Sequence, residues 1–142
     1  MISKKDTLSF YKNPIVQQII FEESRNKEIS FRYGETFGKR PNTISSPKEL
    51  IVEASKGMTS IHVSEQTWFN PLDVKGTQEG WDLILDIDCK VFEYAKITTD
   101  IIAKYLKFLG CECFVKFSGN KGFHIAVPYE YFPRIINGKP LK

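Results

Sequence analysis

Two short runs of sequence decide the fold of this chain: WDLILDID at residues 81–88 and CFVKFSGNKGFHIAV at residues 113–127. Both runs are largely apolar, as strands that bury a face are, and both carry polar residues beside the apolar part. Between them, residues 97–109 repeat apolar side chains at intervals of three and four up to Gly110, which predicts a helix closed by a glycine. The order strand, helix, hairpin is expected to bring an acidic pair close to a glycine-bounded Ser/Lys/His cluster.

The first 60 residues predict an additional α/β unit. Apolar residues at helical spacing after a proline predict a helix over Pro14–Glu23, and Ser46 is expected to cap a second helix that ends near Gly57. Residues 28–33 alternate apolar with polar side chains, which is typical of a half-buried strand. Residues 59–68 are rich in β-branched and aromatic residues and indicate another strand.

Two further segments are assigned from their turn residues. Residues 70–80 are polar and rich in turn formers, which predicts a loop leading into the acidic strand. Residues 131–136 of the tail indicate a short helix. Together the elements predict a single α+β domain over residues 1–142, with a mixed or antiparallel sheet at its centre.

Composition describes an ordinary globular chain. With 142 residues, 42% of them hydrophobic and 13% aromatic, the chain is long enough to bury a core. The net charge of +3 permits nucleic acid or nucleotide as a partner without requiring either. No apolar run approaches the roughly 20 residues of a membrane span, and residues 1–6 have no signal-peptide core behind them. The expected location is therefore cytoplasmic, with no membrane partner.

The three cysteines, Cys89, Cys111 and Cys113, form an odd set without a CxxC spacing. Such a set is poor material for a disulfide framework or a complete zinc site. Cys111 and Cys113 would face the same side of a strand, so a shared metal role with Cys89 stands beside their interpretation as small core residues.

Asp86 and Asp88 lie two residues apart at the end of an apolar strand, so both carboxylates project from one face, roughly 6–7 Å apart at their α-carbons. Two carboxylates so placed repel one another unless a cation lies between them, and hard oxygen ligands select Mg²⁺ or Mn²⁺. Asp82 shares this face by parity but lies further back. The alternative is a strand end that runs into solvent with two exposed acids.

The segment SGNKGFH, residues 118–124, carries the second candidate group. Its two glycines let backbone amides approach an anion, while Ser118 offers a hydroxyl, Lys121 a point charge and His124 a ring N–H donor. A plain hairpin turn with a lysine is the alternative for this segment alone. A metal pair beside a triphosphate cradle is the combination that nucleotidyl transfer needs.

These two groups resemble the motifs of a known family. Residues 86–88 resemble the first motif, and residues 118–124 the second motif, of the archaeo-eukaryotic primase superfamily, which includes the small catalytic subunits of DNA primases and the polymerase domains of bacterial end-joining ligases. Residues 26–31 resemble the early strand of the family, and residues 63–68 precede the acidic strand as in the family. The resemblance covers about residues 25–133.

The resemblance implies both a fold and a reaction. The fold is a primase small-subunit-like catalytic core with an RNA-recognition-type mixed sheet, joined to the amino-terminal α/β unit. The reaction is template-directed nucleotidyl transfer, carried out by a DNA primase or by a primer-extending repair polymerase. Its partners would be an NTP or dNTP and a DNA template and primer.

Roles for individual residues follow from the same resemblance. Asp86 and Asp88 would hold two divalent ions that activate the attacking hydroxyl and stabilise the leaving pyrophosphate. His62, which also fits a core or surface histidine, and the second motif would bind the incoming triphosphate, through Ser118, Gly119, Lys121, Gly122 and His124. Lys39 and Arg40 either touch the template or form a solvated basic turn.

Two features depart from the family pattern. The third motif supplies another metal-binding aspartate on a later strand, but no aspartate follows Asp100 in this chain. We therefore expect a carboxy-terminally incomplete or reduced member, or a second protein subunit that supplies the missing carboxylate. The connection from Asp88 to Ile97 is also shorter than the zinc-binding insertion usual in replicative primase small subunits.

Two other functions stay open at the level of sequence. A catalytically incomplete module that binds nucleotide or nucleic acid, or an accessory subunit, would keep the cradle without the full metal site. A metal-dependent nuclease could use Asp86 and Asp88, but it would leave the Ser/Lys/His turn unexplained. Priming and repair synthesis, and Mg²⁺ and Mn²⁺, are not distinguished.

Overall fold

The structure of the protein, a computed structural model, describes residues 3–140, so the first two residues of the amino-terminal segment and the last two of the tail lie outside it. The chain divides after Glu79 into two compact units. None of the helices within residues 3–140 is long and apolar enough to cross a membrane.

The first unit combines three helices with an antiparallel sheet whose strand order is β2-β1-β3-β4. Its strands β1 and β3 pair antiparallel, with Ser30 opposite His62 and Phe31 opposite Ile61. The elements in chain order are α1 (Lys4–Lys12), α2 (Pro14–Glu23), β1 (Lys27–Tyr33), β2 (Thr36–Phe37), α3 (Glu49–Ser55), β3 (Ser60–Trp68) and β4 (Gln78–Trp81), which begins in this unit.

A closed apolar core holds the first unit together. Ile29 and Leu50 are fully buried, and Ala54 and Met58 are nearly so. Leu50 and Ala54 lie four residues apart on α3, so they share one helix face and pack on the sheet together. The core cluster extends to Tyr11 on α1, so helices and sheet bury a common apolar surface.

Helix α2 has the bounds that the sequence predicts, Pro14–Glu23. Asn13 precedes it in an extended conformation, and its side-chain oxygen accepts a hydrogen bond from the Ile15 N–H at 2.9 Å. Pro14 occupies the first helical position, where the missing N–H costs no intrahelical bond. The helix start is therefore specified by two adjacent residues.

The predicted cap of α3 is wrong. The helix begins at Glu49, and its N-cap residue is Lys48, whose side chain makes no capping bond. The Glu49 carboxylate instead accepts hydrogen bonds from the hydroxyl and the backbone N–H of Ser45, one residue before the expected Ser46. The reciprocal bond of a capping box is thus absent, while the helix end near Gly57 is confirmed.

Strand β1 lies where residues 28–33 predict it, but it is not half-buried. All four residues from Glu28 to Phe31 are buried, so both faces of the strand are covered. Ile29 and Phe31 face the apolar core. On the other face the Glu28 carboxylate pairs with Arg40, and this pairing lets an acidic side chain remain buried in the strand.

The second unit is a three-stranded antiparallel sheet, ordered β5-β7-β6, with one long helix. The sequence predicts its helix and its two later strands correctly. Its elements are β5 (Leu83–Asp88), α4 (Phe92–Phe108), β6 (Phe114–Phe117), β7 (Gly122–Val127), a 3₁₀ turn (Tyr129–Tyr131) and the short strands β8 (Ile135–Ile136) and β9 (Lys139–Pro140).

Three phenylalanine rings fix which face of this sheet meets the helix. Phe92 of α4 lies 5.8 Å from Phe117 of β6 and 5.5 Å from Phe123 of β7, measured between ring centroids, and the two strand rings are 5.7 Å apart. Because side chains alternate along a strand, Lys116 and His124 must project from the opposite face. That opposite face carries the candidate site.

Helix α4 covers only part of the apolar pattern that predicts it, since Ile102 and Leu106 are half-buried while other members of the pattern are exposed. Ile97, Ile101 and Tyr105, which make the helical pattern conspicuous in the sequence, are 54%, 60% and 60% exposed. The buried residues of the helix are Ala95 and Thr99, one turn apart. The most deeply buried positions of the helix are therefore small side chains, while Ile97, Ile101 and Tyr105 form a row on the outer surface.

Two sequence predictions, one of a loop and one of a helix, need correction. The predicted loop over residues 70–80 ends in strand β4, which the polar composition conceals. The predicted tail helix over residues 131–136 is absent: a hairpin, β8–β9, turns through Asn137 and Gly138, both with positive φ. Asn-Gly with two positive φ angles is the sequence signature of a type I′ hairpin turn.

Candidate active site

Asp86 and Asp88 lie on the sheet face opposite the phenylalanine rings, as their parity on β5 requires. In the ladder with β7, Asp86 is paired with His124 and Asp88 with Gly122. The Asp86 Oδ1 lies 3.4 Å from His124 Nε2, and the Asp86 side chain is 65% exposed. The structure therefore brings one predicted metal ligand and one predicted triphosphate ligand into direct contact.

Because Gly122 has no side chain, it leaves room for the Asp88 carboxylate on the neighbouring strand. A Cβ atom at residue 122 would overlap the carbonyl oxygen of Ile87 and would lie 2.7 Å from Asp88 Oδ1. Backbone cannot give way as a flexible side chain can, so any larger residue would force β5 and β7 apart. Gly122 therefore serves strand contact at the site, in addition to the turn for which the sequence suggested it.

The turn between β6 and β7 is closed by two hydrogen bonds. The Ser118 N–H donates to the Gly122 carbonyl at 2.9 Å, and the Gly122 N–H donates to Ser118 Oγ at 3.2 Å. Gly119 has φ +91°, a conformation that favours glycine. The Gly122 amide is thus already bonded within the turn, whereas the Ser118 hydroxyl proton and the exposed Lys121 ammonium point to no partner inside it.

The carboxylates suit a hard divalent cation, but they provide two protein ligands only. Asp82, which directly precedes β5 and shares its parity with Asp86 and Asp88, accepts a hydrogen bond from the Tyr129 N–H at 3.0 Å and so fixes the start of the 3₁₀ turn. Within residues 3–140 no group of three or more His, Cys, Asp or Glu side chains is placed to hold a metal ion. Mg²⁺ ordinarily completes such a shell with water and substrate phosphates.

His62 belongs to the first unit, whereas the other predicted site residues belong to the second unit. It is exposed on β3, 3.3 Å from Ser60 Oγ, with its ring edge-on to Phe37 at 5.1 Å between centroids. His62 and Phe37 line a groove of about 860 Å³ on the polar face of the first sheet. Sequence patterns gave no sign of this groove, because it depends on which strands pair.

An ion pair between buried Glu28 and exposed Arg40 forms one wall of the groove. Arg40 Nε and Nη2 donate to the two Glu28 carboxylate oxygens at 3.0 and 2.6 Å, and this carboxylate raises the pKa of Arg40. The Arg40 side chain is held by this bidentate pair but remains 63% exposed, so its position is also compatible with a solvated basic turn. Ser30 Oγ and Trp68 Nε1, also beside the groove, are buried without a hydrogen-bond partner among residues 3–140.

The three cysteines do not form a metal-binding cluster within residues 3–140. Cys89, Cys111 and Cys113 are free and half-buried, and Cys113 Sγ lies 3.9 Å from the Ala103 carbonyl oxygen of α4. That contact belongs to the packing of the helix on its sheet.

Comparison with known proteins places this geometry in context. A family model described as "LigD, primase-polymerase domain" matches residues 10–135. No curated protein matches the chain. Among solved structures, the polymerase domain of Mycobacterium tuberculosis Ligase D, in complex with DNA, matches with a TM-score of 0.65 and 16% identity, over 89% of this chain and 55% of that one. The chain thus spans about half the length of that structure, and the likeness confirms the α+β fold class.

Proposed function

The chain belongs to the family of LigD primase-polymerase domains, within the superfamily that its motifs resemble, and from that premise we propose that it carries out template-directed nucleotidyl transfer. The observation that carries the proposal is the contact between Asp86 and His124, which joins the two motifs on one sheet face. The product would be a primer or a primer extended during DNA repair.

Asp86 and Asp88 would hold Mg²⁺ or Mn²⁺. Both carboxylates are exposed on one face of β5, so they can reach cations without any change in the strand. The bound ions would lower the pKa of the attacking hydroxyl and neutralise charge on the phosphates. The carboxylates would fix the positions of the ions relative to β7 and its histidine.

The residues of the β6–β7 turn would hold the triphosphate of an incoming NTP or dNTP. Ser118 keeps a hydroxyl proton to donate, and Lys121 presents an ammonium beside Gly122. His124 is 35% exposed and directs Nε2 towards the Asp86 carboxylate, so its ring stands between the cation position and the turn. Orientation of the phosphate chain is the role that these three side chains share.

DNA is the partner that we propose for the first unit. Its groove presents exposed Phe37 and His62 rings, the kind of aromatic surface on which bases of single strands stack. The solved relative is a complex with DNA, which supports the same class of partner. His62 would then contact template, primer or nucleotide from the groove wall.

One observation favours a second candidate function. Among residues 3–140 the site has two carboxylates and no third ligand of the kind that the family uses. A module that binds nucleotide and DNA but needs another polypeptide to supply the third carboxylate would show this arrangement. Nuclease activity has no comparable support, because it leaves the turn of Ser118 and Lys121 without a role.

Primer extension in the presence of Mn²⁺ or Mg²⁺ separates these functions. We expect the protein to extend a primer on a template, and Asp86→Ala to reduce the rate by roughly a thousandfold, since metal contacts supply several kcal/mol of transition-state stabilisation. Asp100→Ala is the matched control, because Asp100 is an exposed aspartate of α4 that pairs with Lys104. EDTA should abolish product as well.

Nucleotide binding without any product from the unaltered protein would reject the polymerase and favour the accessory module. Cleavage of DNA in the absence of nucleotide would instead support the nuclease. Equal rates for Asp86→Ala and Asp100→Ala would remove Asp86 from the mechanism.

A further inference from the structure

A third residue stands in line with Asp86 and His124. The β6–β7 ladder pairs Lys116 with His124, and the β5–β7 ladder pairs Asp86 with the same histidine. Directly opposed residues on neighbouring strands project from one face with their Cβ atoms about 4.5–5.5 Å apart. The three side chains therefore form a row across the sheet, with carboxylate, imidazole and ammonium in that order.

The direction of Lys116 is fixed by its neighbour on β6. Phe117 contacts the rings of Phe92 and Phe123 on the helix side of the sheet. Lys116, one residue earlier, must project to the other side, where His124 and Asp86 are in contact. The assignment rests on ring contacts and on strand register, and both lie within the second unit.

Lys116 has no structural task that would explain a cation at this position. It is exposed, and no carboxylate of residues 3–140 lies within ion-pair distance of its ammonium. The lysines at Lys96 and Lys104, by contrast, each have an acidic neighbour on α4. The ammonium of Lys116 is therefore available to a ligand on the site face.

The order of charges along the row matches a metal-bound polyphosphate. Strands are spaced about 4.8 Å apart, so the row from β5 to β6 spans about 10 Å. A cation held at Asp86 would bind phosphate oxygens near β5, and the anionic chain would then cross β7 at His124 towards β6. Its distal phosphates would meet a positive charge at Lys116, as lysine binds phosphate elsewhere.

We propose that Lys116 binds the distal phosphates of the incoming nucleoside triphosphate, on the side of His124 away from the metal. This assignment rests on the proposed function and adds to it a second lysine besides Lys121. The two ammonium groups reach the phosphates from different places, Lys121 from the turn and Lys116 from the strand. A nucleoside monophosphate lacks the distal groups and would not engage Lys116.

Binding measurements with Mn²⁺ present test the assignment without requiring catalysis. ATP and dATP, inorganic tripolyphosphate and AMP are titrated into the unaltered protein and into Lys116→Ala, Lys116→Arg and Lys107→Ala. We expect Lys116→Ala to weaken triphosphate and tripolyphosphate binding by roughly tenfold to a hundredfold, as loss of a charged hydrogen bond does, and to leave AMP binding unchanged. Lys107 is exposed in the last turn of α4 and provides the charge-matched control.

The conservative variant adds a readout that a purely structural residue would not move. Lys116→Arg keeps the charge and should stay within about threefold of the unaltered protein for triphosphate. If Lys116→Ala fails to fold, Lys116→Gln retains most of the aliphatic stem, and the same loss is expected of it. Equal weakening of AMP and triphosphate would overturn the assignment.

Failure of this assignment differs from failure of the proposed function. If the unaltered protein binds triphosphate and Lys116→Ala binds it equally well, Lys116 has no phosphate role and the polymerase proposal stands. If the unaltered protein binds neither ATP, dATP nor tripolyphosphate, both proposals are overturned.

Discussion

The two units differ in how much they bury and in what they expose. The first unit closes four apolar side chains, from Ile29 on β1 to Met58 after α3, to 1% exposure or less. Within residues 80–140, the second unit, which carries Asp86 and His124, closes three apolar side chains to that degree, Ala95, Ile125 and Val127, and leaves the apolar row of α4 at the surface. The candidate site thus lies on the unit with the smaller core.

This difference shows what positions the side chains of the candidate site. In a large core, dense packing holds each side chain in place, so removal of one side chain disturbs those around it. The second unit positions Asp86, His124 and Lys116 mainly by ladder register, with three rings on the reverse face and Gly122 at the strand contact. We therefore expect the units to respond to different kinds of substitution.

Truncation of one aliphatic residue in each unit is the strongest test of the contrast. Leu50→Ala should lower the free energy of unfolding by about 2–5 kcal/mol, because Leu50 is fully buried on α3. Ile101→Ala on α4 should change it by less than about 0.5 kcal/mol, because Ile101 is 60% exposed. Urea denaturation followed by circular dichroism measures both values. Similar losses for the two variants would contradict the contrast.

A methyl group at residue 122 tests the importance of strand contact. Gly122→Ala should destabilise the second unit by about 1–3 kcal/mol, because the added Cβ overlaps the backbone of Ile87. Hydrogen exchange resolved by peptide should show the loss of protection in β5 and β7. Gly76→Ala is the control, since nothing lies within 4 Å of its Cβ position. Intact protection in Gly122→Ala would show that the ladder tolerates a side chain there.

The smallest expected change in stability concerns a polar cluster of the first unit, and the size of this change depends on pH. Tyr33 donates a hydrogen bond to Glu53, which also pairs with Lys56 at 2.7 Å. Burial alone would raise the pKa of Glu53, but the bonds from Lys56 and Tyr33 outweigh it and lower that pKa. Burial and the Glu53 carboxylate raise the pKa of Tyr33 to about 12.

Tyr33→Phe should therefore cost about 1 kcal/mol of unfolding free energy near neutral pH. The lowered pKa of Glu53 contributes stability above the ordinary glutamate range that is lost as the pH falls through the folded value. The raised pKa of Tyr33 contributes below about pH 10 and is lost as the pH rises towards 12. The difference between variant and unaltered protein should shrink at both extremes, and a constant difference from pH 3 to pH 11 would contradict this assignment.

Sequence patterns predicted most of the second unit because its signals are local. Apolar runs, the glycine at residue 110 and the turn from Ser118 to Gly122 each define an element without reference to distant residues. The Asn137-Gly138 turn is just as local, but the apolar residues beside it also fit a helix and conceal the hairpin signal. Periodicity revealed α4 but not which stripe it buries, since that depends on the partner surface.

The candidate site was predictable only in part, for a related reason. Parity placed Asp86 and Asp88 on one face, and the glycines marked the turn. Pairing of β5 with β7 joins residues far apart in sequence, and the register of the local β6–β7 hairpin depends on its turn geometry. Neither the row that includes Lys116 nor the ion pair of Glu28 with Arg40 could therefore be derived. Lys116 shares its parity with Ser118, and this parity is the local signal that points to it.

The cluster of Phe92, Phe117 and Phe123 has a consequence for folding fidelity. If β7 slipped by one residue against its neighbours, every side chain on it would change faces, and His124 would turn towards the helix while Phe123 entered water. That misalignment would break the contacts of Phe123 with Phe92 and Phe117, and their loss penalises it. Three residues that touch no substrate therefore act as an alignment check on the chemistry of the reverse face.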